Sequence, residues 1–411
     1  MGNRYEIRWA NGRRRKAISY SFLIKTAGRP ASLRRAACLA LVVSLPLVAP
    51  AAEIRSFDRV VLLEQTSETS ASVSLGDIDQ DGDLDIVLAK GRHWPLINLI
   101  LRNDGKGHFT PEKLSETPDR TYTAALADLD GNGTLDLVVS NDRPDQKLIY
   151  LNDGQGRFRV AGTFGQPEWP TRYVTVADLN GDGRPDLIVA NRSSKPDHPV
   201  QSFVCLNDGK GAFPSSHPLP TQSATIIVAA DLDGDGKIDV FVPHRDGGQN
   251  LIFWNDGSGT FAAAPARVGP EHSSIRAAEA ADLNGDGILD LVVGDELTGL
   301  FLYLGQGQRR FAPPVAIHGA AGAPYSIGIA DLDRDGKPDI VIGRQEARGS
   351  IFFNRGSREK TEFTETRWND GKGSVYGVAI GDLDGDGWPD IAAARSEAPN
   401  AIWFNGRAEV R

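Results

Sequence analysis

The chain predicts an all-β fold, a seven-bladed β-propeller of four-stranded antiparallel blades. Two repeated patterns and one displaced strand predict it. The first pattern is an acidic loop of the form Asp-x-(Asp/Asn)-x-(Asp/Asn)-Gly. Its opening aspartates, Asp77, Asp128, Asp178, Asp231, Asp282, Asp331 and Asp382, lie 51, 50, 53, 51, 49 and 51 residues apart. A period of that length belongs to propellers and repeat arrays. The second pattern is the turn Asn103-Asp104-Gly105-Lys106-Gly107-His108-Phe109, which recurs at 152–158, 207–213 and 255–261. It loosens to 305–311 and to Asn354 with Phe363, and closes the series as Asn405-Gly406. Finally, the last unit stops after its third strand, near Phe404, while a spare apolar segment stands ahead of the first unit.

In chain order, residues 1–52 read as a secretory signal with an extended basic n-region. Arg34-Arg35 precede the apolar stretch Ala36–Val48 and then Ala49-Pro50-Ala51-Ala52, so cleavage is expected near Ala51/Ala52. The apolar stretch is too short for a bilayer span. Residues 53–411 are then the propeller, secreted or periplasmic. The spare segment Phe57-Asp58-Arg59-Val60-Val61-Leu62 comes next. Phe57 lies 20 residues before Asp77, as Phe158 lies 20 before Asp178, which assigns the segment as the outer strand of the last blade. That pairing closes the ring and removes a sheet edge.

Within each unit the first strand is built from small or β-branched residues, such as Val174-Thr175-Val176-Ala177 and Ile226-Ile227-Val228-Ala229, suited to crowding around an axis. After the acidic loop comes a buried run, such as Ile86-Val87-Leu88-Ala89 or Leu291-Val292-Val293. The third strand carries a bulky residue two before the turn: Leu101, Tyr150, Cys205, Phe253, Tyr303, Phe352 and Trp403. An Asn-Asp-Gly turn between apolar and aromatic residues is a hairpin signal, and the fourth strand is expected to start at the aromatic that follows it.

The loops also name a chemistry. Calcium takes six to eight oxygen ligands, and side chains at positions 1, 3 and 5 ahead of a glycine converge on one centre. Position 9 adds another aspartate in every copy. The candidate ligands are Asp77, Asp79, Asp81 and Asp85; Asp128, Asp130, Asn132 and Asp136; Asp178, Asn180, Asp182 and Asp186; and Asp231, Asp233, Asp235 and Asp239. The series continues with Asp282, Asn284, Asp286 and Asp290; Asp331, Asp333, Asp335 and Asp339; and Asp382, Asp384, Asp386 and Asp390. Up to seven calcium ions are expected, held more weakly in the three copies that substitute an asparagine. An EF-hand would need Glu at position 12, where the first copy has Leu88 inside a strand. A single loop of this kind could be an Asp/Gly-rich turn without metal. Seven copies with position 9 always acidic point to a cation, which also relieves the repulsion among the carboxylates.

On these loops and their period, the chain resembles the FG-GAP/VCBS-repeat family, the calcium-loop propellers that include the head of integrin α chains. The resemblance implies the propeller and calcium binding by the matching aspartates. The literal Phe-Gly and Gly-Ala-Pro signatures are nearly absent, and no inserted adhesion domain is present, so an integrin role does not carry over.

Composition narrows the partners. From residue 53 onward 35 Lys and Arg face 53 Asp and Glu, and 25 of those carboxylates sit in the loops. So acidic a chain is not expected to bind nucleic acid. Cys205 is the single cysteine beyond the leader and reads as a core residue.

Both the acidic loops and the Asn-Asp-Gly turns fall on one face, which leaves the opposite face for a ligand. Five and six residues past each position-9 aspartate stand Lys90-Gly91, Asn141-Asp142, Asn191-Arg192, His244-Arg245, Asp295-Glu296, Arg344-Gln345 and Arg395-Ser396. Arg92, His93 and Trp94 lie nearby, with Tyr122, Arg172, Tyr173, Arg276, Tyr325 and Tyr376 where the inner strands begin. From these, Arg92, Arg192, His244, Arg245, Arg344, Arg395 and Tyr376 are the expected ligand-face residues, since arginine forks bind carboxylate or sulfate and aromatic rings stack on sugars. The charges could equally be a solvated loop surface. No H-E-x-x-H, G-x-S-x-G or Walker motif occurs. Two readings follow: a secreted calcium-binding propeller that recognises carbohydrate or an extracellular protein, or a calcium-dependent polysaccharide-degrading enzyme, with a lyase as its leading form.

Overall fold

The computed structural model describes residues 55–408 apart from 194, 196, 197, 320 and 321. The expected signal over 1–52 lies outside the described residues. Seven four-stranded antiparallel sheets follow one another along the chain as seven blades of a propeller. The innermost strands are Ser70–Gly76, Thr121–Ala127, Thr171–Ala177, Val228–Ala230, Ile275–Ala281, Pro324–Ala330 and Ser374–Gly381. The last blade takes its outer strand from Arg55–Leu62, which pairs antiparallel with Ala401–Arg407 in the register Val60 to Trp403 and Leu62 to Ala401. Ring closure by the N-terminal segment is thus as expected. Among the described residues no helix is long and apolar enough to cross a membrane.

The second strand of each blade begins at the position-9 aspartate, and its residues are all buried. Alternation explains why these runs are continuously apolar. Ile86 and Leu88 pack on blade 7 residues Leu383, Ile402 and Phe404, while Val87 and Ala89 pack on blade 2 residues Leu137, Val139 and Tyr150. A strand between two neighbouring blades has no solvent face. Each of the seven interblade seams holds one such cluster, and the bulky third-strand residues, Cys205 among them, fill them.

One local expectation is corrected. The outer strand starts at the aromatic in blades 1, 2 and 6, at Phe109, Phe158 and Phe363. In blades 3, 4 and 5 it starts later, at Ser215, Ala266 and Val315. All six rings pack on interblade clusters, whether or not the strand begins at them.

Candidate functional site

The acidic loops link first to second strands on one face. In every copy the position-1 aspartate accepts a hydrogen bond from the position-6 amide, at 2.8–3.1 Å. Position 6 is glycine with φ between 82° and 102°, the left-handed region that only glycine enters freely. Position 4 also takes positive φ, even where it is Gln80 or Arg334. That second requirement was not read from the sequence, although the glycine in five of seven copies is its trace.

The position-9 aspartates are almost wholly buried, and each spends both oxygens on backbone amides. Asp136 accepts from Leu129 N and Asn152 N, both at 2.9 Å. Asp390 accepts from Leu383 N at 2.9 Å and Asn405 N at 2.8 Å. The same pair of bonds recurs in all seven blades. Burial raises these carboxyls, to about 6 at Asp239 and about 7 at Asp339 and Asp390. Position 9 therefore pins the loop to the third strand whether or not an ion is bound.

The turn asparagine extends the pin across blades. Asn152 Nδ2 donates to Leu135 O in its own blade and to Ile78 O in the preceding one, at 2.9 and 2.7 Å. Asn103, Asn207, Asn255, Asn354 and Asn405 do the same, and Gly305 in blade 5 has no side chain to do so.

Carboxylate oxygens converge within 4.8 Å at Asp77-Asp79-Asp81, Asp128-Asp130-Asp136, Asp231-Asp233-Asp239, Asp331-Asp333-Asp339 and Asp382-Asp384-Asp390. Copies 3 and 5 place Asn180 and Asn284 at position 3 and so lack the carboxylate there. Oδ1 of Asp77, Asp79 and Asp333 is buried with no hydrogen-bond partner. Hard oxygens left unpaired in a cluster fit a calcium ion, whose ligands stand about 2.3–2.6 Å away. Some copies carry an internal cation as well. Arg355 pairs with Asp333 at 2.5 Å and Asp335 at 2.9 Å, Arg309 with Asp233 at 2.7 Å, and Arg59 with Asp384.

At the other face, a cavity of about 360 Å³ opens on the axis. A β-bulge at the start of the inner strand shapes it. The register slips around Ala71, Tyr122, Arg172, Arg276, Tyr325 and Tyr376, each the unpaired residue of its strand. In blade 4 the slip falls between Ala224, which bridges His244, and Val228, with Thr225 at the matching place. All seven stand six residues before an opening aspartate, and all line the cavity. Bulges re-aim a side chain, and here they aim one per blade at the axis.

Of the seven expected ligand-face residues, Arg92, Arg192, Arg245 and Tyr376 line this cavity, joined by His93, Tyr122, Arg172, Arg276, Tyr325 and Glu279. His244, Arg344 and Arg395 do not. Arg344 ends its second strand, Arg395 stands one residue before the end of its own, and His244 follows Asp239–Val242 by two residues; all three are buried. His244 is 1% exposed, its Nε2 accepts from Gln222 N at 3.1 Å, and burial lowers it to about 4. Arg344 donates to Gly322 O and Ser350 Oγ. Arg395 donates to Pro399 O and Asp370 and lies over Trp403. Arg192 and Arg245, which follow Asn191 and His244, line the cavity instead.

The cavity is rich in guanidinium. Arg172 pairs with Asp142 at 2.6 Å, Arg192 with Asp246 at 2.7 Å, and Arg245 with Glu296 at 2.6 Å. Arg276 reaches the same Glu296 only at 3.4 Å, and burial lowers its pKa. Arg92 lies over the Tyr376 ring at 3.7 Å and donates to Ser396 Oγ. Tyr122 Oη is 3.0 Å from His93 Nε2. Glu279 lies three residues beyond Arg276 on the inner strand, about 10 Å deeper at strand rise, and its surroundings push its carboxyl up to about 7.

Comparison with known proteins agrees with this architecture. Human cartilage acidic protein 1 is 25% identical over 381 residues, covering 81% of this chain and 57% of that protein; the Xenopus tropicalis protein is equally similar, with 58% of its length covered. The chain thus spans a little over half the length of these relatives. Human integrin alpha-7 is 31% identical over 147 residues, 31% of this chain and 12% of the integrin. Among solved structures, BBS1N in complex with ARL6DN superposes with a TM-score of 0.56 at 12% identity, over 87% of this chain and 97% of that one. An Agrocybe aegerita lectin specific for non-reducing terminal N-acetylglucosamine gives 0.54 at 20% identity, over 74% and 81%. Both show the shared fold alone. The FG-GAP-like repeat profile matches residues 77–139, 128–189, 231–293, 283–342 and 331–393. With five such repeats over most of its blades, the chain belongs to the FG-GAP-like repeat family.

Proposed function

We propose that the chain is a secreted or periplasmic, calcium-stabilised recognition module that takes a carbohydrate or an extracellular protein on the face opposite its acidic loops. Its signal would be removed near Ala51/Ala52. The observation that carries the reading is the division of labour between faces: one is uniform and devoted to oxygen clusters, and the other turns one bulge residue from each blade, tyrosine or arginine in five of the seven, to one cavity. Cartilage acidic protein 1 and the integrin α chains, its partial relatives, support an adhesion-type role outside the cell. Calcium would be held by the aspartates at positions 1, 3 and 5 with position 9 behind them; its chemistry there is charge neutralisation and ordering of the loop. A glycan array and a panel of extracellular proteins, probed with residues 53–411 in millimolar calcium and again in chelator, test the reading. Calcium-dependent capture of one ligand class is the expected result, and blanks on both panels with a folded protein refute it.

A lyase reading has one observation of its own. His93 and Tyr122 are hydrogen-bonded beside Arg92 and Arg172, an arrangement that could neutralise a uronate and take the proton next to its carboxylate. That proton loss would expel the oxygen at the β carbon and leave an unsaturated sugar. Incubation with uronate polysaccharides and ultraviolet detection of the new double bond decides it.

A further inference from the structure

We propose that the axial cavity binds the anionic group of an acidic sugar, a carboxylate or a sulfate ester, at a pole formed by Arg92, Tyr376 and Arg276. The inference rests on the recognition reading and names its ligand class and its residues.

Three observations carry it. The first is placement. Seven blades each spend a β-bulge, at one fixed offset from the acidic loop, on a side chain turned to the axis. A bulge forfeits ladder hydrogen bonds. Sheet stability alone gives no reason to repeat one around the ring at positions as chemically unlike as Tyr, Arg, Thr and Ala.

The second is charge. Five guanidinia line the cavity. Asp142, Asp246 and Glu296 compensate Arg172, Arg192 and Arg245 at 2.6–2.7 Å. Glu279 lies deeper, and the surroundings favour its neutral form. Among the described residues no carboxylate pairs with Arg92, and Arg276 has only the far edge of a Glu296 already held by Arg245. Nε of Arg92 has no hydrogen-bond partner. Cations that line one cavity without matching carboxylates are costly in a partly buried site unless an anion joins them.

The third is shape. Arg92 stacks on Tyr376 at 3.7 Å and Arg276 on Tyr325 at 3.6 Å, the two rings are 5.1 Å apart, and Arg276 stands 5.0 Å from the Tyr376 centroid. Stacking occupies the guanidinium faces and leaves their N–H edges to donate, the geometry that takes an oxyanion in a fork. Polar side chains and backbone predominate over apolar surface in the lining, which suits a hydroxylated ring. The volume, about 360 Å³, falls in the roughly 300–1,000 Å³ range of small-ligand sites and admits one terminal sugar rather than a protein loop.

The test uses calcium-loaded residues 53–411 in calorimetric titrations with three oligosaccharides of equal length: a uronate, a sulfated sugar and their neutral parent. We expect one acidic series to bind at least tenfold tighter than the neutral parent and to weaken with salt. Arg92→Gln and Arg276→Gln each reduce that affinity tenfold or more, and Arg157→Gln, exposed near the opposite face, leaves it unchanged. Whichever acidic series binds identifies the group as carboxylate or sulfate. Thr225→Asp adds a carboxylate at a bulge position in the cavity lining, and it lowers affinity even if an arginine variant fails to fold. Equal binding of the neutral parent, or full affinity in the variants, overturns the inference. No binding of any acidic sugar also overturns it. In that case a neutral glycan or a protein captured on the panels above keeps the recognition reading, and blank panels remove that reading too.

Discussion

Replacing Asp136 by alanine and, separately, Asp130 by asparagine separates the two roles that each acidic loop combines. Asp136 is fully buried and accepts two backbone hydrogen bonds, from Leu129 N and Asn152 N. Hydrogen bonds to a charged group contribute about 1.5–3 kcal/mol each, and the alanine leaves both amides buried without partners. A loss on the order of 3–6 kcal/mol follows, and it is present in chelator as well as in calcium. Asp130 accepts only from Asn132 N at 3.2 Å, on an exposed loop. Without calcium its replacement changes stability by no more than about 0.5 kcal/mol. With calcium at a hundredfold excess over Kd, weakening that one loop costs up to about 2.7 kcal/mol. Urea unfolding of both variants, with and without chelator, reads all four values. Equal losses for the two variants in chelator would refute the assignment of position 9 as a pin independent of the ion.

Three further outcomes follow from the same geometry. Asn152→Ala removes two buried hydrogen bonds, one of them between blades, and lowers unfolding free energy by about 2–3 kcal/mol, measured by urea melts. Arg355→Ala frees Asp333 and Asp335 from an internal guanidinium, so it tightens calcium binding at that loop, read as a gain in calorimetric affinity or in bound calcium. Asp119 is raised from 3.8 to about 6, mainly by burial and then by Asp145. A raised carboxyl binds its proton more tightly in the fold, so its cost is full above pH 6 and fades as pH falls toward 4. Asp119→Asn therefore stabilises the protein at pH 7–8, by on the order of 1–3 kcal/mol, and gives no gain near pH 4, as paired melts will show.

Most of the architecture was legible because it is written seven times. The fifty-residue period, the continuous apolar second strands and the spare N-terminal strand each have one structural solution, and the structure adopts it. The outer strands were less legible. Their residues are largely exposed, and Phe109 and Phe158 pack on a seam as Phe213 and Phe261 do, so the aromatic marks the seam without marking where the strand begins. The acidic loops could be read for converging carboxylates but not for the pin at position 9, because nothing in a one-dimensional pattern shows that an aspartate in such a cluster also caps two amides. On the opposite face, the pairs near the ends of the second strands held the right information in the wrong phase. His244, Arg344 and Arg395 are buried away from the cavity, and Arg192 and Arg245 line it, a distinction of a single residue along the chain. The bulge ring stands at a constant six residues before each opening aspartate, but Ala71 and Thr225 hide the series from a search for charge and aromatic residues.

The central claim is that the acidic loops hold calcium and that the ion helps fasten the ring. Metal analysis of purified residues 53–411, paired with thermal melts before and after chelation, tests it most directly. Several calcium ions per chain, no more than seven, are expected, with a melting temperature that falls on chelation and returns with added calcium. A folded protein with no bound calcium, or one whose melting temperature ignores both chelator and calcium, would contradict it.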